Sequence, residues 1–187
     1  QGPNRSLYFN NFAQGIVARS SGEAPDFIYA NGLVASFLWR RELPRNVFVI
    51  GLGAGMVPRF LSEKAPEIAT TSVEIDPEVV RIAEEYFAFR PDGNDRVLVG
   101  DGRSLLERET GPWDAILLDA YFSDSVPFHL TTREFFRLCR DRLSPDGVFA
   151  ANVVGMLMGK DERLFWAMVR SAQEVFPNVA ILSRELA

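Results

Sequence analysis

The sequence predicts an α/β fold, a mostly parallel β-sheet with helices on both faces. Three observations lead to it. Short apolar runs with strand character recur along the chain, helix-like stretches separate them, and one run, "NVFVIG" (46–51), breaks into the glycine turn "GLGAG" (51–55) before turning helical. With 187 residues, 47% of them hydrophobic and 24% charged, the chain is long enough for one main domain with a sizeable core.

Residues 7 to 39 contain the β-like pieces "SLYFNN" and "GIVARS" and then a helix near "YANGLVASFLW". A small N-terminal β-hairpin and connecting helix (1–39) are therefore expected ahead of the sheet domain (40–187). Strands are expected at 46–51, 69–75, 95–100, 114–120, 147–154 and 178–183. The first helix of the sheet domain is expected from Gly55 to Lys64. A second covers Pro77 to Phe87, where Asp76 can cap it and Pro77 suits its first turn. "TTREFFRLCRDRL" places Thr131 three residues before Glu134, the spacing of a capping box. The last helix, "KDERLFWAMVRSAQEVF", aligns Leu164, Met168 and Ala172 on one face.

Composition excludes several functions. A formal net charge of -5 and a pI near 5.0 give no basic field for phosphates, so nucleic acid is not an expected partner and a cationic small molecule is. The single cysteine, Cys139, can build neither an internal disulfide nor a cysteine-rich zinc site, and its apolar helical setting reads as a core thiol. The only histidine, His129, reads as an exposed loop residue before a helix cap, and no metal-ligand cluster is visible. Trp39, Trp113 and Trp166 read as packing aromatics. No apolar stretch reaches roughly 18 residues and the first ten residues lack a signal-peptide pattern, so no membrane contact and a cytoplasmic location are expected.

The glycine turn lies between a strand and a helix. There Gly51, Gly53 and Gly55 let a ligand approach the backbone, and the helix N-terminus offers N–H groups. Glu74 ends the next strand roughly 20 residues on, where a carboxylate can accept from ribose hydroxyls. The third strand runs into "VGDGRSLL", placing Asp101 where it can accept from an adenine amino group and Gly102 where the backbone can approach the ring. No Gly-Lys-Ser/Thr follows the glycines, which removes the P-loop alternative.

"GLGAG", "VEID" and "GDG" at three successive strand ends resemble the Rossmann-like S-adenosylmethionine-binding fold of class I methyltransferases. Against that seven-stranded sheet, the final antiparallel strand is expected to be missing. "VFVIGLGAG", "SVEIDPEVV", "VLVGDGRSLL" and "WDAILLDAYFSDSVPFHLTTREFFRLCRDRLSPDGVFAAN" together resemble the spermidine synthase (polyamine aminopropyltransferase) family over roughly residues 7 to 155. Val49 supports this, because ordinary methyltransferases usually carry an acidic residue there.

The resemblance implies transfer of an aminopropyl group from decarboxylated S-adenosylmethionine to an amine or polyamine, without metal, by a protein that can be a homodimer. It implies that Gly51, Gly53, Ala54, Gly55, Glu74, Ile75, Asp101, Gly102 and Gln14 hold the donor and that Tyr29 and Asp119 contact the amine. It also implies that Asp119, aided by Asp124 and Tyr121, orients the amine and takes its proton. Several positions depart from the family pattern. Asn10 and Asn11 in "FNNFAQ" replace an Asp and a Gly, Ala30-Asn31 replace a His and a Glu, and Ala54 replaces the Asp that holds the aminopropyl ammonium. With alanine there, discrimination against ordinary S-adenosylmethionine is expected to be poor. Two alternatives therefore stand beside the leading reading: a methyltransferase acting on a small-molecule or protein amine with S-adenosylmethionine itself, and a catalytically silent nucleoside-binding module.

Overall fold

The computed structural model describes residues 4–9, 12–18, 28–91, 93–120, 126–153 and 162–182. Strands β1 (Asn4–Phe9) and β2 (Phe12–Ala18) form the expected antiparallel hairpin. Helix α1 (Ile28–Ala35) follows and tightens into a 3-10 turn, Ser36–Trp39. The chain then alternates through β3 (Asn46–Ile50), α2 (Met56–Lys64), β4 (Ala69–Glu74), α3 (Pro77–Tyr86), β5 (Asp95–Val99), α4 (Gly102–Arg108), β6 (Trp113–Leu118), α5 (Arg133–Arg142), β7 (Leu143–Ala151) and α6 (Glu162–Gln173).

Strands β3 to β7 make one parallel sheet in the order β5-β4-β3-β6-β7. The central strands β3 and β6 are covered on both faces, which is why "VFVI" and "AILL" are continuous apolar runs. Their side chains alternate between two cores. Val47, Val49, Ala115 and Leu117 pack with α1 and α2 through Ala30, Leu33, Val57 and Leu61. Phe48, Ile50, Ile116 and Leu118 face the opposite way, against Phe135, Phe136 and Cys139 of α5 and Met168 of α6. Residues 28–39, grouped by sequence with the hairpin, thus contribute Ala30, Leu33 and Phe37 to the core of the sheet. Cys139 is the expected core thiol, fully buried, and burial pushes its pKa far up.

The caps follow local chemistry. Asp76 accepts from the Glu78 N–H at 2.9 Å to start α3. The cap of α5 is Thr132, which accepts from the Phe135 N–H at 3.2 Å, and not Thr131. Thr131 is already committed, because its hydroxyl donates to the Phe128 carbonyl at 2.8 Å and closes the 3-10 turn Phe128–Leu130. Helix α4 was not expected; its signal was Asp101, which accepts from the Ser104 N–H at 2.8 Å as an N-cap. Two apolar expectations also change. Leu164 is 56% exposed, leaving Met168 and Ala172 to face the core. The described part of the sixth expected strand, 178–182, is not a strand: Val179, Ile181 and Leu182 are exposed and make no ladder, and alternation alone cannot form one.

At the N-terminal edge of the sheet, Arg40 pairs with Asp114 at 3.1 Å and donates to the Asp114 and Asp146 carbonyls. Asp114 also accepts from the Arg45 N–H and the Ser144 hydroxyl, both at 2.9 Å. At the other edge, Gly51 has φ +98°, and a Cβ there would lie 2.4 Å from the Asp119 carbonyl oxygen and 2.9 Å from the Ala120 Cα. Both obstacles are backbone, so neither can swing aside. Gly51→Ala is expected to lower stability by about 3 kcal/mol or more in urea unfolding. In contrast, Gly32→Ala, in open space on α1, should raise it by roughly 0.5–1 kcal/mol.

Candidate active site

In a parallel sheet the free space for a ligand lies outside the carboxyl ends of the strands, where neighbouring connections leave in opposite directions. Here that point falls between β3, whose chain proceeds to β4 and β5, and β6, whose chain proceeds to β7. Backbone bonds continue the ladder past the strand ends. The Asp119 N–H donates to the Ile50 carbonyl at 2.8 Å, the Gly51 N–H to Val73 at 2.8 Å, the Gly100 N–H to Glu74 at 2.8 Å, and the Asn152 N–H to Leu118 at 2.9 Å. The side chains of Glu74, Asp101, Asp119 and Asn152 are thereby brought to one edge.

Glu74 closes on the glycine turn. Its Oε2 accepts from the Leu52 and Gly53 N–H groups at 3.1 and 3.3 Å, and its Oε1 from the Asp76 N–H at 3.2 Å. The turn's first amides therefore hold this carboxylate. They are not open to an incoming anion, as a helix N-terminus alone would suggest. Ile75 beside it is 69% exposed. The glycines divide by role. Gly51 permits the contact with Asp119, whereas a Cβ on Gly55 would meet the Phe89 ring at 2.6 Å and one on Gly102 would meet Ile50 Cγ2 at 2.4 Å. Internal packing accounts for Gly55 and Gly102. Ala54 is 1% exposed and packs with Met56 and Phe87, with Leu7 of the hairpin against them. A carboxylate at that position would be buried among apolar side chains.

Asp119 sits just past β6 beside Gly51. It retains some surface exposure, yet enough protein crowds it that desolvation raises its pKa to about 7, against the lowering effect of one hydrogen bond from Asn152 Nδ2 at 2.9 Å. Asn152 was missed by the sequence reading, and its only signal was its place at the end of the next strand. A carboxyl poised near neutrality can both take and return a proton.

Asp101 is tied on both oxygens. Oδ1 accepts from the Ser104 N–H at 2.8 Å, and Oδ2 lies 2.8 Å from His129 Nε2. Desolvation works to raise its pKa, but the hydrogen bonds from Ser104 and His129 outweigh it and hold the carboxyl below its usual range. His129 is exposed, as expected, and it also pairs with Asp101. Tyr121 and Asp124 lie outside the described residues, as do the side chains of Gln14 in β2 and Tyr29 in α1. Among the described residues no three His, Cys, Asp or Glu side chains form a metal-binding group, and no helix is long and apolar enough to cross a membrane.

Comparison with known proteins adds to this geometry. A family model described as "Spermine/spermidine synthase domain" matches residues 26–183. A polyamine aminopropyltransferase of Vibrio vulnificus is 43% identical over 129 residues, which is 67% of this chain and 43% of that protein. The crystal structure of spermidine synthase from Thermotoga maritima aligns with TM-score 0.70 at 26% identity, over 82% of this chain and 52% of its own. Human methyltransferase-like protein 13, crystallised with SAH, aligns with TM-score 0.68 over 86% of this chain and 75% of its own, and at 24% identity that likeness shows the fold alone. The chain spans about half the length of the Vibrio vulnificus and Thermotoga maritima proteins. With its domain matched across residues 26–183 and its strand ends arranged as described, this chain belongs to the spermine/spermidine synthase family.

Proposed function

We propose that the chain binds an adenosyl sulfonium donor, decarboxylated S-adenosylmethionine, and transfers its aminopropyl group to an amine of the polyamine type. The observation that carries this reading is Asp119, a carboxyl with a pKa raised to about 7 at the point where the sheet opens. The names of the matched relatives support the reaction class. The donor set fits a nucleoside: Glu74 is held by backbone donors and Asp101 by the Ser104 N–H and the His129 ring, and their remaining lone pairs suit ribose hydroxyls and a base amino group.

When bound, the donor supplies a carbon activated by its sulfonium. The amine must first lose a proton, since only its lone pair can attack; the N–C bond then forms as the C–S bond breaks, and the bonding pair leaves on sulfur in methylthioadenosine. Asp119 accepts the amine's proton, and Asn152 fixes the carboxyl so that one oxygen faces the reactants. Asp124 and Tyr121 assist the amine, Tyr29 lines its path, and Gln14, Ile75 and the glycine turn border the donor. The same reading gives a cytoplasmic protein that can be a homodimer, acting on a free small molecule with no nucleic acid partner. A second reading, methyl transfer from S-adenosylmethionine to an amine, is favoured by Ala54, which offers no charge to hold an aminopropyl ammonium. Product analysis with each donor separates the two.

The pKa of Asp119 fixes the pH dependence. Transfer at saturating donor should rise as pH passes through about 7, because only the ionised form accepts a proton. Asp119→Asn should keep methylthioadenosine binding and lower transfer by roughly a hundredfold or more. An unchanged rate would make Asp119 a structural residue.

The same shift acts on stability. The folded-state pKa lies above the unfolded value, so the contribution of Asp119 is fully present below about pH 4 and is lost as pH rises through about 7. At pH 8, Asp119→Asn should therefore be more stable than the parent, by on the order of 1–3 kcal/mol after allowance for partial solvent screening. At pH 4 that advantage should vanish, and urea titrations at the two pH values measure the difference.

A further inference from the structure

The contact between Asp101 and His129 joins two connections that are distant in sequence, the turn after β5 and the segment leading into α5. It is doubled on the backbone, where Arg103 Nη1 donates to the His129 carbonyl at 3.3 Å. The His129 and Asp101 side chains are 47% and 33% exposed, and an exposed pair of this kind adds little to stability. Its consequence is positional. An ionised carboxylate only accepts hydrogen bonds, so Nε2 must carry the proton and donate it to Oδ2. With Ser104 donating to Oδ1, the carboxylate plane is fixed from both sides, and the lone pairs left over point away from both protein donors.

We infer that His129 is a specificity-determining residue of the donor site: by holding Asp101 as a fixed, acceptor-only group, it makes the site select a base that presents an amino group over one that presents a carbonyl. The inference rests on the reading of this edge as a nucleoside site. A carboxylate free to rotate could still accept from an amino group but would also turn aside from a carbonyl, so releasing it costs discrimination more than affinity. His129→Leu keeps bulk and removes the donor. His129→Gln puts an amide N–H within similar reach of Oδ2.

Calorimetric titration of methylthioadenosine and its 6-oxo counterpart, methylthioinosine, into the 187-residue chain and both variants tests this. The parent should prefer the amino nucleoside by roughly tenfold or more. The ratio should fall roughly three- to tenfold in His129→Leu and return to within about twofold of the parent in His129→Gln. A general defect of folding or packing would weaken both nucleosides together and leave the ratio alone. If the parent discriminates and His129→Leu does so equally, the inference is overturned while the nucleoside site stands. If His129→Gln is as poor as His129→Leu, hydrogen-bond donation is not the cause and the inference is equally overturned. A parent that binds neither nucleoside removes the site itself and the inference with it. Because His129 is the only histidine, its ring signals in NMR are unambiguous. They should move on addition of methylthioadenosine, and stationary signals would contradict the assignment without recourse to any variant.

Discussion

The approach of Gly51 to the backbone of Asp119 and Ala120 is the constraint on which the candidate site depends. A residue with a Cβ could not occupy that place, since its Cβ would lie 2.4 Å from a carbonyl oxygen, and the φ of +98° is one that side chains resist. The absence of one carbon lets β3 end directly against the end of β6. Asp119 is therefore crowded where the sheet opens, and the crowding raises its pKa. The glycine turn then leaves β3 toward α2, within reach of Glu74, which gathers the Leu52 and Gly53 amides. Geometry at one glycine thus reaches both the Asp119 carboxyl and the Glu74 carboxylate.

The two ends of β6 show how differently the fold treats the same residue type. Asp114 near its start and Asp119 just past its end both suffer desolvation as their largest perturbation. Asp114 receives the Arg45 amide, the Ser144 hydroxyl and the Arg40 guanidinium, and these hold it below the usual carboxylate range. At Asp119 desolvation is opposed, among the described residues, by the Asn152 amide, and the pKa rises to about 7. The N-terminal edge is satisfied and stabilises the sheet. The C-terminal edge keeps an acid whose desolvation is not offset, at a cost in stability as pH rises through about 7.

Much of this was legible in the sequence because it is local. Strands β3 to β7 show as apolar runs, and Asp76 with Pro77 marks the start of α3 in adjacent letters. Glu74, Asp101 and Asp119 could be placed at strand ends because each follows its run directly. What escaped depends on distance. The roles of Gly55 and Gly102 are set by Phe89 and Ile50, which no spacing rule connects to them. Asp101 and His129 are 28 residues apart and meet only once the sheet has formed. Thr131 and Thr132 are equivalent as letters, and the 3-10 turn that claims Thr131 decides between them. Residues 178–182 alternate as a strand does, but a strand also needs a neighbour to bond with.

The central claim is that the fold makes Asp119 an acid poised near neutrality. Its most direct measurement is a ¹³C NMR titration of the aspartate side-chain carboxyls, with the Asp119 signal assigned by its loss in Asp119→Asn. A midpoint near pH 7 for that signal is the result this account predicts. A midpoint near the ordinary aspartate value of about 4 would mean that solvent reaches the carboxyl freely, and the proton-accepting role derived from its burial would be contradicted.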